Sequence, residues 1–477
     1  MLMLAFPPFN FTFLVFVALA PWWASLRDTD GRGAWRSGYT FGLLFWLFQL
    51  FWLVPFVSRW TGSVLFGVVP WLLGPPLGAL YFGLVAVLIR HCWKLQVPWA
   101  IPIIWAGVEL IRSYFPVFAF PWGLIASPLW QYPYLIQLAN IGTYYLVAVW
   151  VCWMNLIVTS FLLNRPLKEL SRDCLLFLAL LAGSLVKYAT PTEGKKSVIS
   201  IGQTGIDMAF DDPKAAEEKI ASTVQSFMAR SKGQGSGLLV LPEGLVNGGS
   251  TLPPQTKFIV PTDSVPLLFG GERGEKTRYQ SAYAYDGKWS YADKSRLVIF
   301  GEFVPFRSVL PFLSAFNLPA GDLTAGESVK ALSVGGIKVG PVICFEGLFY
   351  DIASKQSANG AQLLAVISID DWYQNSNAPE QLAGAAIWRA VETGLPIVRA
   401  ASLGISLAAD QRGNLLTRLP QGQSICARVE LNIDDKPTKN PIQPIFVWLL
   451  GLSVPVLWGC AIFKNKVAAK NQDLSGD

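Results

Sequence analysis

Seven apolar runs of the kind that cross a bilayer, near residues 10–26, 38–57, 66–89, 98–114, 141–164, 173–188 and 441–463, constrain this chain more than any other feature. A spanning helix takes roughly 20 apolar residues, because the hydrocarbon core holds no water to satisfy an open backbone. Composition agrees: 52% of the 477 residues are hydrophobic, 15% are charged and 19 are Trp. Residues 191–440 stand apart and carry the charge of an ordinary water-soluble domain. The expected organisation is a helical membrane domain over 1–190 with about six spans, an extramembrane domain over 191–436, and a last span with its tail over 437–477.

Charge sets the orientation. Lys and Arg gather in alternate loops, at Arg27, Arg32 and Arg36, at Arg90 and Lys94, at Arg165, Lys168 and Arg172, and in the tail at Lys464, Lys466 and Lys470. The other loops hold little beyond Arg59. By the positive-inside tendency the basic loops are cytoplasmic, which places 191–440 and residue 1 on the opposite face. A cleaved signal peptide does not fit residues 1–26, since no basic residue precedes the apolar run and Pro7-Pro8 interrupt it. The uncharged, aromatic-rich stretch 115–140 is expected at the outer membrane interface. Glu109 and Arg112, three apart near the end of a span, read first as an ion pair on one helix face and second as a headgroup or gating site. A net charge of +6 held in short loops argues against a nucleic-acid partner.

Within 191–440, strand and helix patterns alternate. Residues 197–203 read as a strand, 213–231 as an amphipathic helix and 237–242 as a second strand. A hairpin over 279–291 turns on Asp286-Gly287. Strands follow at 337–343, 363–368 and 396–401, with a helix over 379–393 closed by Gly394 and a further hairpin around Arg412-Gly413. Mixed sheets with helices on their outer faces are expected, with reactive groups at strand ends.

Cys344 is the reactive candidate, because the run 339–343 delivers it into Phe345-Glu346. The chain has a single histidine, His91, far upstream between apolar runs. Cys-His and Ser-His-Asp mechanisms need an imidazole within hydrogen-bond reach, so thiol chemistry here must use a carboxylate and a lysine. Glu243 and Lys294 stand at similar strand ends. A free thiol has a pKa of about 8.5 and is little ionised at neutral pH, so Glu243 would take the proton and Lys294 would hold the oxyanion. The acyl group would rest as a thioester until an amine attacks, a ping-pong scheme. Taken alone, Cys344 also fits a buried structural thiol, Glu302 a surface loop charge and Glu346 a helix N-terminal carboxylate. Trp372 divides between core packing and substrate contact, and Trp388 reads as core. Six cysteines without CxxC or metal-ligand spacing exclude a disulfide framework and a zinc site. Cys152, Cys174 and Cys460 are expected to pack as small hydrophobes. The stretch 303–330, with Phe303, Phe306, Leu310, Phe312, Leu313 and Phe316, is too apolar for a solvated loop and is expected to be a lid dipping into the outer leaflet.

Three blocks in order, Leu241-Pro242-Glu243, then Lys294 with Phe300-Gly301-Glu302-Phe303-Val304-Pro305, then Val342-Ile343-Cys344-Phe345-Glu346, are similar to the catalytic blocks of the nitrilase superfamily. More narrowly, the chain resembles the apolipoprotein N-acyltransferases, with Phe120-Pro121-Trp122-Gly123, Gly321-Asp322, Asp370, Trp372 and Arg389-Ala390-Val391-Glu392 at matching places. The likeness runs from Leu4-Ala5-Phe6-Pro7-Pro8 to the last span. It implies a nitrilase-like αββα sandwich, catalysis by Glu243, Lys294 and Cys344, and support from Glu302, Glu346 and Trp372. It also implies a phospholipid acyl donor, a diacylated apolipoprotein acceptor, no cofactor or metal, a monomer, and a bacterial inner membrane with the catalytic domain on the periplasmic face. Family members usually carry eight spans, so a shortened amino end or a late start codon is expected here. Phe345 stands where the family commonly has Tyr, Ile369 where it has Asn, Asp371 where it has Ala, and Ala401-Ser402-Leu403 where it has an Asn-rich turn. These departures bear on acceptor or headgroup recognition more than on the basic chemistry. Two other readings compete: a membrane-tethered carbon-nitrogen hydrolase with the same three residues acting on a small amide or nitrile, and a degenerate lipid-binding paralogue.

Overall fold

The computed structural model describes residues 1–208, 210–246, 248–249, 252–307, 309, 322–374, 376–435 and 440–473. The side chains of Lys464, Lys466 and Lys470 lie outside what is described. Every apolar run is helical, but proline and charge divide the runs by length. The first becomes a 3-10 turn, Thr12–Phe16, and a short helix α1 (Ala20–Ser25) that Pro21 starts afresh. Helices α2 (Gly31–Gln49) and α3 (Leu53–Thr61) meet at a 50° bend. After them come α4 (Val64–Lys94), α5 (Ile101–Tyr114), α6 (Ala139–Leu162) and α7 (Leu167–Ala189). By length and composition α4, α6 and the stretch Ile442–Cys460 qualify as spans, and the bent α2–α3 pair makes a fourth. Among the described residues this is fewer than the seven runs, for physical reasons. α5 has 14 residues, about 21 Å of helix. The opening turns of α7 carry Lys168, Glu169, Arg172 and Asp173.

Small residues let the membrane helices approach. A Cβ on Gly38 of α2 would lie 2.4 Å from the Phe82 carbonyl oxygen of α4, so glycine is required at that crossing. The basic loops collect at one end of the bundle, where Arg90 Nε donates to the Thr29 carbonyl at 2.8 Å and Arg165 lies 5.9 Å over the Trp93 ring. The extramembrane domain stands on the other end.

That domain contains two six-stranded sheets. In chain order its elements are β1 (Lys195–Gln203), α8 (Pro213–Gly233), β2 (Leu238–Val240), β3 (Leu267–Arg273), β4 (Tyr279–Tyr285), β5 (Trp289–Asp293), β6 (Leu332–Val334), β7 (Ile337–Ile343), α9 (Tyr350–Ala358), β8 (Leu363–Ser368), α10 (Ala378–Thr393), β9 (Ile397–Ala401), β10 (Leu407–Ala409), β11 (Leu415–Arg418) and β12 (Ile425–Ile433). The first sheet runs β12-β1-β2-β3-β4-β5 and the second β11-β10-β9-β8-β7-β6. β1, β2 and β3 are parallel to one another, as are β7, β8 and β9. Between the sheets lies an apolar core that includes Ile199, Ile201, Val240, Ile343, Ile367 and Val398. α8 covers the outer face of the first sheet, and α9 and α10 cover the outer face of the second, which completes the expected αββα sandwich.

The α9–α10 layer packs directly against the membrane domain. Trp388 Nε1 donates to the Ser127 carbonyl at 3.2 Å and its ring meets Tyr144 at 4.8 Å. A Cβ on Gly384 would fall 2.5 Å from Trp130. The last helix, α11 (Ile442–Asp473), packs along α5, where a Cβ on Gly107 would fall 2.7 Å from Val454. Cys152 is buried and Cys174 partly so, whereas Cys460 is exposed, because that part of α11 faces outward from the bundle.

Candidate active site

Glu243, Lys294 and Cys344 each follow the carboxyl end of a strand, β2, β5 and β7. β2 and β5 point the same way in the first sheet, so Glu243 and Lys294 emerge on one edge, and β7 brings Cys344 to it from the second sheet. Cys344 adopts φ +51°, a left-handed conformation that costs a non-glycine residue energy and turns its side chain out of the strand. It opens a 3-10 turn, Cys344–Leu348.

Glu346 holds that turn. Its Oε2 accepts the Ile343 N–H at 3.0 Å, and its Oε1 accepts the N–H groups of Ser295 at 2.7 Å and Arg296 at 3.1 Å. One carboxylate therefore ties the Cys344 turn to the segment that follows Lys294. Glu302 plays the matching part for the lysine: its Oε1 accepts from Lys294 Nζ at 2.6 Å and its Oε2 from the Val298 N–H at 2.8 Å.

Burial and charge set the proton states. Burial alone would lower Lys294, but Glu302, then Cys344 and Glu243, raise it well above the usual lysine range, so it stays cationic. Burial pushes the Glu243 carboxyl up to about 7; Lys294 pulls the other way and Glu302 adds to the rise. Burial and then Glu243 push the Cys344 thiol up to about 12, against Lys294. The resting pair is a thiol beside a carboxyl that changes state near neutrality, which suits base-assisted attack rather than a standing thiolate. Glu243 is oriented by the Ile369 N–H, which donates to its Oε2 at 3.1 Å, and by the Gln280 side chain. Gly270 lets β3 pass beneath it, since a Cβ there would lie 3.0 Å from the Glu243 Cα.

Trp372 stands apart from the thiol. Its ring meets Phe56 of α3 at 6.0 Å and Phe210 at 5.3 Å, which puts it at the joint between membrane helix and catalytic domain. The neighbouring Tyr373 also packs on α3, 5.9 Å from Phe56, and its hydroxyl is raised by burial and then by Cys344, Asp370, Glu302 and Glu243. Neither Tyr373 nor Gln280 carries a catalytic signature in the sequence, apart from the lone Gln in the aromatic strand 279–285.

Several motifs turn out to be structural ties. Asp370 accepts two hydrogen bonds from Arg399 Nη2 at 2.9 and 2.8 Å, and Gly404 has no room for a Cβ beside it. Arg389 donates to the Leu348 carbonyl at 2.7 Å and pairs with Glu392 at 2.6 Å, while Glu392 accepts the Tyr144 N–H at 2.8 Å. The Cys344 turn, α10 and α6 are thus joined by one buried pair. Glu109 and Arg112 do not close the expected ion pair. Each reaches instead to the loop that folds over the helix end, Glu109 accepting from the Ile125 N–H at 2.8 Å and Arg112 donating to the Phe120 carbonyl at 2.9 Å, so that backbone groups of the loop find side-chain partners. Phe120 in turn stacks 6.3 Å from Phe345, beside the nucleophile. Of the expected lid, Leu310, Phe312, Leu313 and Phe316 lie outside the described residues, as does Gly321. Phe306, before that stretch, is 51% exposed and meets Phe118 at 6.5 Å.

Two family models match the chain, the apolipoprotein N-acyltransferase N-terminal domain over residues 1–157 and carbon-nitrogen hydrolase over 199–434. An apolipoprotein N-acyltransferase of Geobacter metallireducens is 27% identical over 98% of this chain and 94% of its own length. One from Haemophilus influenzae is 27% identical over 87% and 84%. A solved nitrilase-superfamily amidase from Nesterenkonia AN1 covers 51% of this chain and 93% of its own at 18% identity, with a TM-score of 0.36.

Proposed function

The chain belongs to the apolipoprotein N-acyltransferase family, built on the carbon-nitrogen hydrolase fold, and from that premise we propose that it moves a fatty acyl chain from a phospholipid, through a thioester on Cys344, to the amino-terminal cysteine of a diacylated lipoprotein. The observation that carries this reading is the setting of the thiol: Phe345, the residue after Cys344, stacks 6.3 Å from Phe120 in the loop that follows α5, so the nucleophile turn packs directly on the membrane domain.

In the first half-reaction Cys344 Sγ attacks the ester carbonyl carbon while Glu243 takes the thiol proton. The Lys294 ammonium stabilises the oxyanion of the tetrahedral intermediate. Collapse breaks the ester C–O bond, Glu243 returns its proton to the glycerol oxygen, and a lysophospholipid leaves. In the second half-reaction the acceptor amine attacks the thioester, Glu243 takes the amine proton, and the thiolate leaves and is reprotonated. Glu302 and Glu346 position Lys294 and the Cys344 turn; Trp372 supports the joint with α3. The catalytic domain is assigned to the periplasmic face of the inner membrane, on the support of the basic loops gathered at the opposite end of the bundle.

The protein in lipid nanodiscs should gain one long-chain acyl mass on Cys344 and lose it to an added diacylated peptide as an amide. Cys344→Ala should show neither step. Ammonia release from a small amide, with no acyl adduct, would favour the tethered hydrolase.

A further inference from the structure

Arg59 is the basic residue that the loop charges leave over, and the reaction as written does not use it. It lies in the last turn of α3. Its Nη1 donates to the Asp371 carbonyl at 2.8 Å, its Nη2 pairs with the Asp207 carboxylate, and its guanidinium sits 4.0 Å over the Phe210 ring. Asp207 and Phe210 belong to the segment between β1 and α8, and Asp371 to the turn after β8. One side chain of a membrane helix therefore gathers two loops of the catalytic domain.

The second of those loops carries parts of the site. Ile369 gives its N–H to Glu243, and the Tyr373 hydroxyl lies among the charges around Cys344 while its ring stacks 5.9 Å from Phe56 of α3. Gln374 Nε2 reaches the same Asp207 carboxylate at 3.3 Å, and the Asp371 carboxylate accepts the Met208 N–H at 2.7 Å. α3 has no buried residue of its own and crosses α4 in direct contact: a Cβ on Gly67 would lie 2.4 Å from the Val54 carbonyl oxygen. The two helices turn at Gly62, at φ +69°. They form a hairpin whose first arm is fastened to the catalytic domain along its length, by Arg59 near the tip and by Trp52 and Phe56, which meet Tyr373 and Trp372.

We propose that Arg59 is a positioning residue for acyl transfer: it holds the loop 369–374 where the Ile369 N–H orients Glu243 toward Cys344, so the chemical step runs at full rate only with the α3–α4 hairpin seated on the catalytic domain. This rests on the thioester reading above. A planar guanidinium can serve a carboxylate and a carbonyl together while stacking on a ring, which an ammonium cannot.

The test uses the full chain in palmitoyl-oleoyl phosphatidylethanolamine nanodiscs and follows the rate of acyl adduct formation on Cys344 against pH and lipid fraction. Arg59→Ala should lower the plateau rate by about 10- to 100-fold. Half-saturating lipid should stay within about twofold, since no lipid contact is removed. The midpoint of the pH profile should move above about 7, because losing the Ile369 donor removes an interaction that favours the charged Glu243, while Lys294, Glu302, Cys344 and Gln280 still face it. Arg59→Lys should recover part of the rate, and Asp207→Asn should shift the midpoint in the same direction; these two decide the matter if Arg59→Ala does not fold. An unchanged midpoint in all variants, with any loss confined to the amount of active protein, would overturn the proposal. Absence of the adduct in the unaltered protein would instead overturn the thioester reading.

Discussion

α8 and α10 occupy equivalent places, one on the outer face of each sheet, yet they meet opposite surroundings. α8 buries one stripe, Ala216, Ile220, Val224, Phe227 and Met228, and leaves Lys214, Glu217, Glu218 and Lys219 in water. α10 is buried on nearly every side, including Arg389 and Glu392, because the membrane domain lies behind it. A flanking helix thus reports what stands on its far side: a charged outer face where there is water, and paired charges where there is none. The site inherits the asymmetry. Glu243 and Lys294 come from the sheet that α8 covers, and Cys344 from the sheet that α10 fastens to the membrane helices. The two sheets thus meet at one buried centre, where Glu243 and Lys294 face the Cys344 thiol.

That contrast can be broken most forcefully at Arg389. Arg389→Met leaves Glu392 as a buried carboxylate without its cation and frees the Leu348 carbonyl, and should cost about 3–5 kcal/mol. Lys219→Ala on the exposed face of α8 should stay within about 0.5 kcal/mol. Unfolding midpoints in nanodiscs measure both, and equal effects would mean that the two layers are equivalent after all. A smaller loss, about 1–3 kcal/mol, is expected for Gly384→Leu, which drives a side chain into Trp130. The same measurement should show α10 loosening from the membrane helices before the sheets part. The chemical side of the contrast is sharpened by pH. With Glu243 near 7, its base form should be lost as pH falls, so acylation of Cys344 should drop about tenfold between about pH 8 and about pH 6, read as adduct rate. A flat profile over that window would remove Glu243 as the base.

Much of this was legible in residues alone. Apolar runs announced a membrane domain because bilayer thickness sets a length that composition must meet, and the missing imidazole pointed from Cys344 to Glu243 and Lys294. The hairpin over 279–291 and the helix closed by Gly394 were readable because a left-handed turn favours glycine, at φ +69° for Gly287 and +67° for Gly394. β3 and β12 were not read. β3 carries Gly270 and Gly271, whose lack of side chains weakens a strand signal but is what lets β3 pass close to Glu243.

What the sequence by itself determined is whatever depends on one segment and its solvent: which stretches are apolar, where turns fall, and which reactive side chains end strands. What only the tertiary structure decided is what distant segments do to one another. Glu109 and Arg112 sit one helical turn apart, as an ion pair would, yet a loop that folds over them takes both. Trp372 and Tyr373 are neighbours in sequence and both pack on Phe56 of α3, yet the Tyr373 hydroxyl also lies among the charges around Cys344. Arg59 and Asp207 are far apart in the chain and meet only because a bent membrane helix reaches the catalytic domain. Local pattern encodes solvent preference, whereas these contacts depend on which surfaces are brought together after water has been excluded.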